Sequence, residues 1–147
     1  MADYYTHFSF TIDNLTDEES AAMLAIQSDP DALANFAKDG ADEIDVDYWH
    51  LGVQVQGSGD DKQLWIHDDG GATTEDAAIF VQAFLKRFRP DCAIGFQYAN
   101  TCSKPRTDAY GGGAYYVDAK EIDSHDGSEW LRKRMKQASA SRETTEV

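Results

Sequence analysis

Trp49-His50-Leu51-Gly52-Val53-Gln54-Val55-Gln56-Gly57-Ser58-Gly59-Asp60-Asp61-Lys62-Gln63-Leu64-Trp65-Ile66-His67 is the stretch that decides the fold. Trp49, Leu51, Val53 and Val55 alternate with polar residues or glycine, the period of a strand with one face buried. Gly57 to Asp60 is turn chemistry, and Leu64 and Ile66 resume the alternation, so the segment reads as a β-hairpin. Keeping both apolar sets on one face requires paired residue numbers to sum to an odd value of about 117, which sets His50 opposite His67 or one step diagonal. Just upstream, Ile44 and Val46 have the opposite parity, implying a bulge or break near Asp47.

On the N-terminal side, Tyr4 to Ile12 alternates, with Phe8, Phe10 and Ile12 inward and Tyr5, His7, Ser9 and Thr11 outward. Thr16-Asp17-Glu18-Glu19 has capping-box spacing and predicts a helix to about Gln27. Asp29-Pro30 predicts a second short helix bearing Leu33 and Phe36. On the C-terminal side, Thr73 or Thr74 caps a helix whose Ala77, Phe80, Val81, Phe84, Leu85 and Phe88 recur at helical spacing, ended by Pro90. Ala93 to Ala99 and Tyr115 to Ala119 read as strands, and a last helix carries Trp130, Leu131 and Met135. The expected class is α+β: a ferredoxin-like βαββαβ core, an antiparallel sheet with helices on one face, plus an extra strand and a C-terminal helix. Residues 1–138 read as a single domain and 139–147 as a flexible tail.

The chain has 147 residues and a formal net charge of −14. Residues 13 to 76 contain 17 Asp and Glu against Lys38 and Lys62, a net of −15, so all the rest sums to +1. A field this one-sided repels nucleic acid and anionic membrane and attracts cationic surfaces. Asp outnumbers Glu by 19 to 8, so solubility or adaptation to salt is the competing reading of the acidity. The N-terminus has neither a basic start nor an apolar run, so a cytoplasmic protein is expected, with Cys92 and Cys102 as thiols.

Three groups of residues are candidates for function. Asp39, Asp42, Glu43, Asp45 and Asp47, with Asp60, Asp61, Asp68 and Asp69, form an acidic surface for a basic protein. Glu43, Asp45 and Asp47 alternate along an extended segment at about 6.6 Å per two residues, close to the phosphate spacing of one DNA strand. His7, His50 and His67, with Asp69, lie on the sheet face that the helices leave open. They could converge as metal ligands or serve acid–base chemistry, although their spacing matches no metal motif and no cofactor is expected. Finally Cys102, Ser103, Lys104 and Arg106, followed by Gly111, Gly112 and Gly113, form a long inter-strand connection. That connection is either an anion or ligand loop or a place where backbones pass closely.

The Asn100-to-Gly113 segment, Leu64-Trp65-Ile66-His67 and the Phe80-to-Leu85 helix resemble a loosely defined set of small acidic uncharacterised proteins of bacteria, phages and plasmids. The resemblance spans about residues 4 to 119 and implies no catalytic residues. It implies an inhibitor of host defence, of the anti-CRISPR or anti-restriction type, some of which mimic DNA. The expectation is therefore a non-enzymatic acidic protein that docks on a basic, nucleic-acid-binding partner without binding nucleic acid or membrane itself. The alternatives are a small hydrolase or ligand binder using the histidine face or the Cys102–Gly113 loop, and an immunity protein or antitoxin.

Overall fold

A computed structural model describes residues 4–38, 51–68, 73–104 and 110–145. The elements run β1 (Tyr4–His7), β2 (Ser9–Ile12), α1 (Asp17–Ile26), α2 (Pro30–Ala37), β3 (Leu51–Gln56), β4 (Gln63–Asp68), α3 (Thr74–Phe88), β5 (Ala93–Cys102), β6 (Gly111–Asp118), β7 (Ile122–Asp126) and α4 (Gly127–Thr145). One antiparallel sheet has the order β1-β5-β6-β7 and the other β2-β4-β3. The protein is α+β, and its architecture is compatible with a ferredoxin-like core extended by a strand and a C-terminal helix.

The first strand joins the two sheets. Its N-terminal half pairs with β5, His7 opposite Ala99, and its C-terminal half pairs with β4, Ser9 opposite His67. The changeover is at Phe8, whose backbone still exchanges with the β4 end: Phe8 N–H donates to the Asp68 carboxylate at 3.1 Å, and Asp68 N–H donates to Phe8 O at 3.2 Å. The alternation of residues 5 to 12 continues through the changeover, so Phe8 and Ile12 are buried while Tyr5, His7, Ser9 and Thr11 remain outside.

In the hairpin Gly52 faces His67 and Val53 faces Ile66, two residues from the expected register. Among the described residues Leu51, Val53, Leu64 and Ile66 share the buried face as expected, while Trp49, His50 and the break expected near Asp47 lie outside the described residues. Gly57 and Gly59 supply the positive φ of the turn. The Thr16–Glu19 capping box is present, with Thr16 N–H donating to Glu19 at 2.8 Å and Glu19 N–H to the Thr16 hydroxyl at 3.1 Å. Helix α3 buries Ala77, Ala78, Phe80, Val81, Phe84 and Leu85 in one core with Ile12, Leu64, Ile66, Phe96 and Val117 of the two sheets.

Three details depart from the sequence reading. Strand β7 is a polar edge strand between β6 and α4 that apolar periodicity does not reveal. Strand β6 begins at Gly111, so the three glycines lie in the ladder. A Cβ on Gly113 would run into Tyr98 and the His125 carbonyl, and one on Gly112 would lie 2.6 Å from the Tyr98 carbonyl oxygen, so close backbone passage accounts for both. Helix α4 continues to Thr145, so residues 139–145, read as tail, are helical. Ala138, Ala140, Arg142 and Glu143 are good helix formers, which explains the extension.

Candidate functional site

Two surfaces of the described residues collect polar chemistry. The first is the open sheet face, opposite the helices. Register places Tyr5, His7, Ser9 and Thr11 on it from the first strand, Trp65 and His67 from β4, Thr101 from β5 and His125 from β7. Trp65 Nε1 donates to the Ser9 hydroxyl at 2.8 Å, and the Trp65 and His67 rings stack with centroids 3.9 Å apart. The His67 ring lies over Gly52, where any Cβ would strike it, so glycine at 52 is what lets this ring lie flat across the edge strand.

His7 stands at the junction of the two sheets. Its Nε2 is 3.0 Å from the Thr101 hydroxyl, and its Nδ1 is 3.7 Å from Asp68 Oδ2, beyond hydrogen-bond length but close enough for a charge to be felt. Asp68 is fixed by its bond from Phe8 N–H, so the carboxylate, the imidazole and the hydroxyl stand in a row. Thr101 and Asp68 were not legible as neighbours of His7, because the split at Phe8 is what brings β4 and β5 to either side of it. His50 and Asp69 lie outside the described residues, and His125 is separated from His7 by β5 and β6. Among the described residues no group of three His, Cys, Asp or Glu side chains is arranged to hold a metal ion.

The second surface is the end of the domain where the β2–α1 connection meets the β3–β4 turn. Leu15 N–H donates to Lys62 O at 2.9 Å, and Lys62 Nζ lies 3.8 Å from Asp17. These ties gather the exposed carboxylates of Asp13, Asp17, Glu18, Asp60 and Asp61 at one end. Both cations placed there are engaged. Lys62 faces Asp17, and Arg89, at the end of α3, donates to both oxygens of buried Glu19 at 2.8 and 2.9 Å and to the Asp13 and Asn14 carbonyls at 3.0 Å. Burial pushes the Glu19 carboxyl pKa up, but the Arg89 and Thr16 hydrogen bonds and the Arg89 charge outweigh it and hold the group below its ordinary value.

The expected acidic surface is thus divided. Asp60 and Asp61 belong to the acidic end, whereas Asp68 lies at the far end of β4, about 17 Å from Gln63 along the strand, with its carboxylate turned to Phe8 and His7. Asp39, Asp42, Glu43, Asp45, Asp47 and Asp69 lie outside the described residues. In the loop, Cys102 is buried at the end of β5, and Tyr110 lies against the Cys102 and Lys104 carbonyls at 3.4 Å. Ser103 and Lys104 follow Cys102 on the exposed surface, and Arg106 lies outside the described residues.

No protein-family model, curated protein or solved structure matches the chain. Among the described residues no helix is long and apolar enough to cross a membrane.

Proposed function

We propose that this chain is a non-enzymatic acidic interaction protein: an inhibitor that docks its carboxylates on a basic, nucleic-acid-binding partner, in the manner of DNA-mimicking anti-CRISPR or anti-restriction proteins. The observation that carries this reading is the acidic end. Five exposed carboxylates, Asp13, Asp17, Glu18, Asp60 and Asp61, are held together by backbone and ion-pair ties, while Lys62 and Arg89 are committed internally. Such a surface steers a cationic partner into contact at low salt, and its reach falls to about 8 Å at physiological ionic strength. The test is a pull-down from host cells followed by competition. The partner should release nucleic acid when this protein binds, and Asp17→Asn/Glu18→Gln/Asp60→Asn/Asp61→Asn should weaken binding and flatten its salt dependence. A partner that holds nucleic acid and this protein together with unchanged affinities rules out mimicry.

A second reading, a small hydrolase on the open face, is favoured by the row Asp68–His7–Thr101. A carboxylate beside Nδ1 stabilises the tautomer whose Nε2 accepts the Thr101 proton, which is how a base activates a hydroxyl. A fluorophosphonate probe should then label Thr101 in the wild type and not in His7→Ala. An unlabelled wild type removes this reading.

A further inference from the structure

Helix α4 differs in charge and in burial from the rest of the molecule. It carries five Arg and Lys against two Glu, a net of +3 inside a chain of −14. Trp130, Leu131 and Met135 are 51, 53 and 61% exposed, and Tyr110 beside them is 54% exposed. At 100° per residue, Trp130, Arg134, Ala138, Leu131 and Met135 cover an arc of about 140°, and Arg132, Lys133 and Lys136 occupy the remainder. The helix is therefore amphipathic, with its apolar arc uncovered. Leu131 and Met135 also line a groove of 520 Å3 with Tyr110, Ser128 and Arg132. The strand feeding this helix is unsatisfied too: among the described residues β7 pairs with β6 alone, and Ile122 is exposed on it. An open strand edge and an uncovered apolar helix, joined at Asp126–Gly127, make one continuous unpartnered border.

We infer that this border is the interface of a two-fold dimer, in which α4 and β7 of one copy pack against α4 and β7 of a second. Three observations favour a second copy over other occupants. The four large apolar side chains are each about half exposed, so two copies cover on the order of 1,000 Å2 there, and the β7 edges bring the total to the range of specific interfaces, ~1,200 Å2 and above. Antiparallel pairing of β7 about Ser124 sets Asp123 of each copy beside His125 of the other, which is a complementary arrangement. Third, two chains of −14 repel each other as wholes, and the +3 of each α4 offsets part of that repulsion at this border, provided the helices' own like-charged cations stay out of the contact. Lys133 and Lys136 lie outside the apolar arc, so burying the arc leaves them in water, while Arg134 falls within it and Arg132 borders the groove.

The net charge of −14 fixes the sign of the salt dependence. Like-charged copies associate more tightly as salt screens them, whereas docking of α4 on the acidic end of another copy would weaken. Sedimentation equilibrium of the full chain should give twice 16.3 kDa at micromolar concentrations, with a dissociation constant that falls as salt is added. Leu131→Glu/Met135→Glu changes residues already in water, so it should keep the circular dichroism and melting midpoint of the isolated protomer and return the mass to 16.3 kDa. A wild type that stays monomeric, a dimer that salt dissociates, or a double variant that associates as tightly as the wild type would each overturn the inference. Binding of a monomer to anionic vesicles through α4 would do so as well.

Discussion

Helices α3 and α4 look alike in sequence and differ in the structure. Both carry recurring large apolar residues with cations nearby, Phe80, Phe84 and Leu85 in one and Trp130, Leu131 and Met135 in the other. The first set is fully buried and the second is more than half exposed. Amphipathicity says that a helix has a face to cover, and topology decides what covers it. Helix α3 connects β4 of one sheet to β5 of the other, both interior strands, and is pressed onto the core, whereas α4 follows the last edge strand, beyond which the described chain offers nothing to pack on.

The largest effect that can break this comparison is a cavity. Phe84→Ala should cost roughly 3–5 kcal/mol, because Phe84 is fully buried and touches Phe88 and Arg89, while Met135→Ala in the monomer should change stability by less than about 0.5 kcal/mol. Chemical denaturation of the two variants at a concentration below dimer formation measures the difference. Equal losses would mean that α4 is packed in solution.

Arg89 comes next. It ends α3 and ties it to Glu19, whose side chain is 3% exposed. Arg89→Ala leaves that carboxylate buried and unpaired, a loss of about 3 kcal/mol at neutral pH. The pair also sets a pH dependence. Glu19 has a folded pKa below its unfolded value, so its contribution is present above the unfolded value, about 4.3, and disappears as pH falls through the folded value. Wild type and Arg89→Ala should therefore converge in stability as pH drops below 4, and a gap that stays constant with pH would refute the assignment.

The residues that made the sequence readable are those whose environment is local. Thr16 and Glu19 cap one another within four residues, and the hairpin faces follow from alternation, so both were recovered. What escaped reading depends on distant partners. Nothing between Tyr4 and Ile12 marks the split at Phe8, because alternation runs straight through it and the change lies in which neighbour, β5 or β4, takes the hydrogen bonds. Strand β7, Ile122-Asp123-Ser124-His125-Asp126, has one apolar residue, since an edge strand buries little. For the sites, the histidine face was legible from parity, while the Thr101 and Asp68 neighbours of His7 follow only from the split. The acidity was legible as a count, and its division between the turn end and Asp68 needed the strand lengths.

A smaller pair of substitutions sharpens the contrast between the helices. Thr73 caps α3 by accepting from Asp76 N–H at 3.1 Å, so Thr73→Ala should lower global stability by about 1 kcal/mol. Ala138→Gly removes a similar ~1 kcal/mol of helix preference from the middle of α4. There the loss should appear as reduced helical circular dichroism in the monomer, with the unfolding midpoint almost unmoved. If Ala138→Gly shifts the midpoint as far as Thr73→Ala, α4 unfolds with the core.

The smallest expected effect is at the tie between α4 and the sheet. Asp126 Oδ1 accepts from Glu129 N–H at 2.9 Å, which caps α4, and Oδ2 accepts from the Tyr98 hydroxyl at 3.2 Å. Burial first, and the Asp126 charge and hydrogen bond second, push the Tyr98 phenol from 10.0 up to about 12. A phenol whose folded pKa is raised contributes stability that is complete below its unfolded value, near 10, and is lost as pH rises toward 12. Asp126→Asn keeps a capping side chain and removes the charge, so Tyr98 should titrate lower than in the wild type yet above 10.0, because burial remains. Ultraviolet titration of the phenolate, with Tyr98→Phe as the subtracted reference, reads this directly. A Tyr98 that titrates unchanged in Asp126→Asn would mean that the carboxylate does not reach the ring in solution.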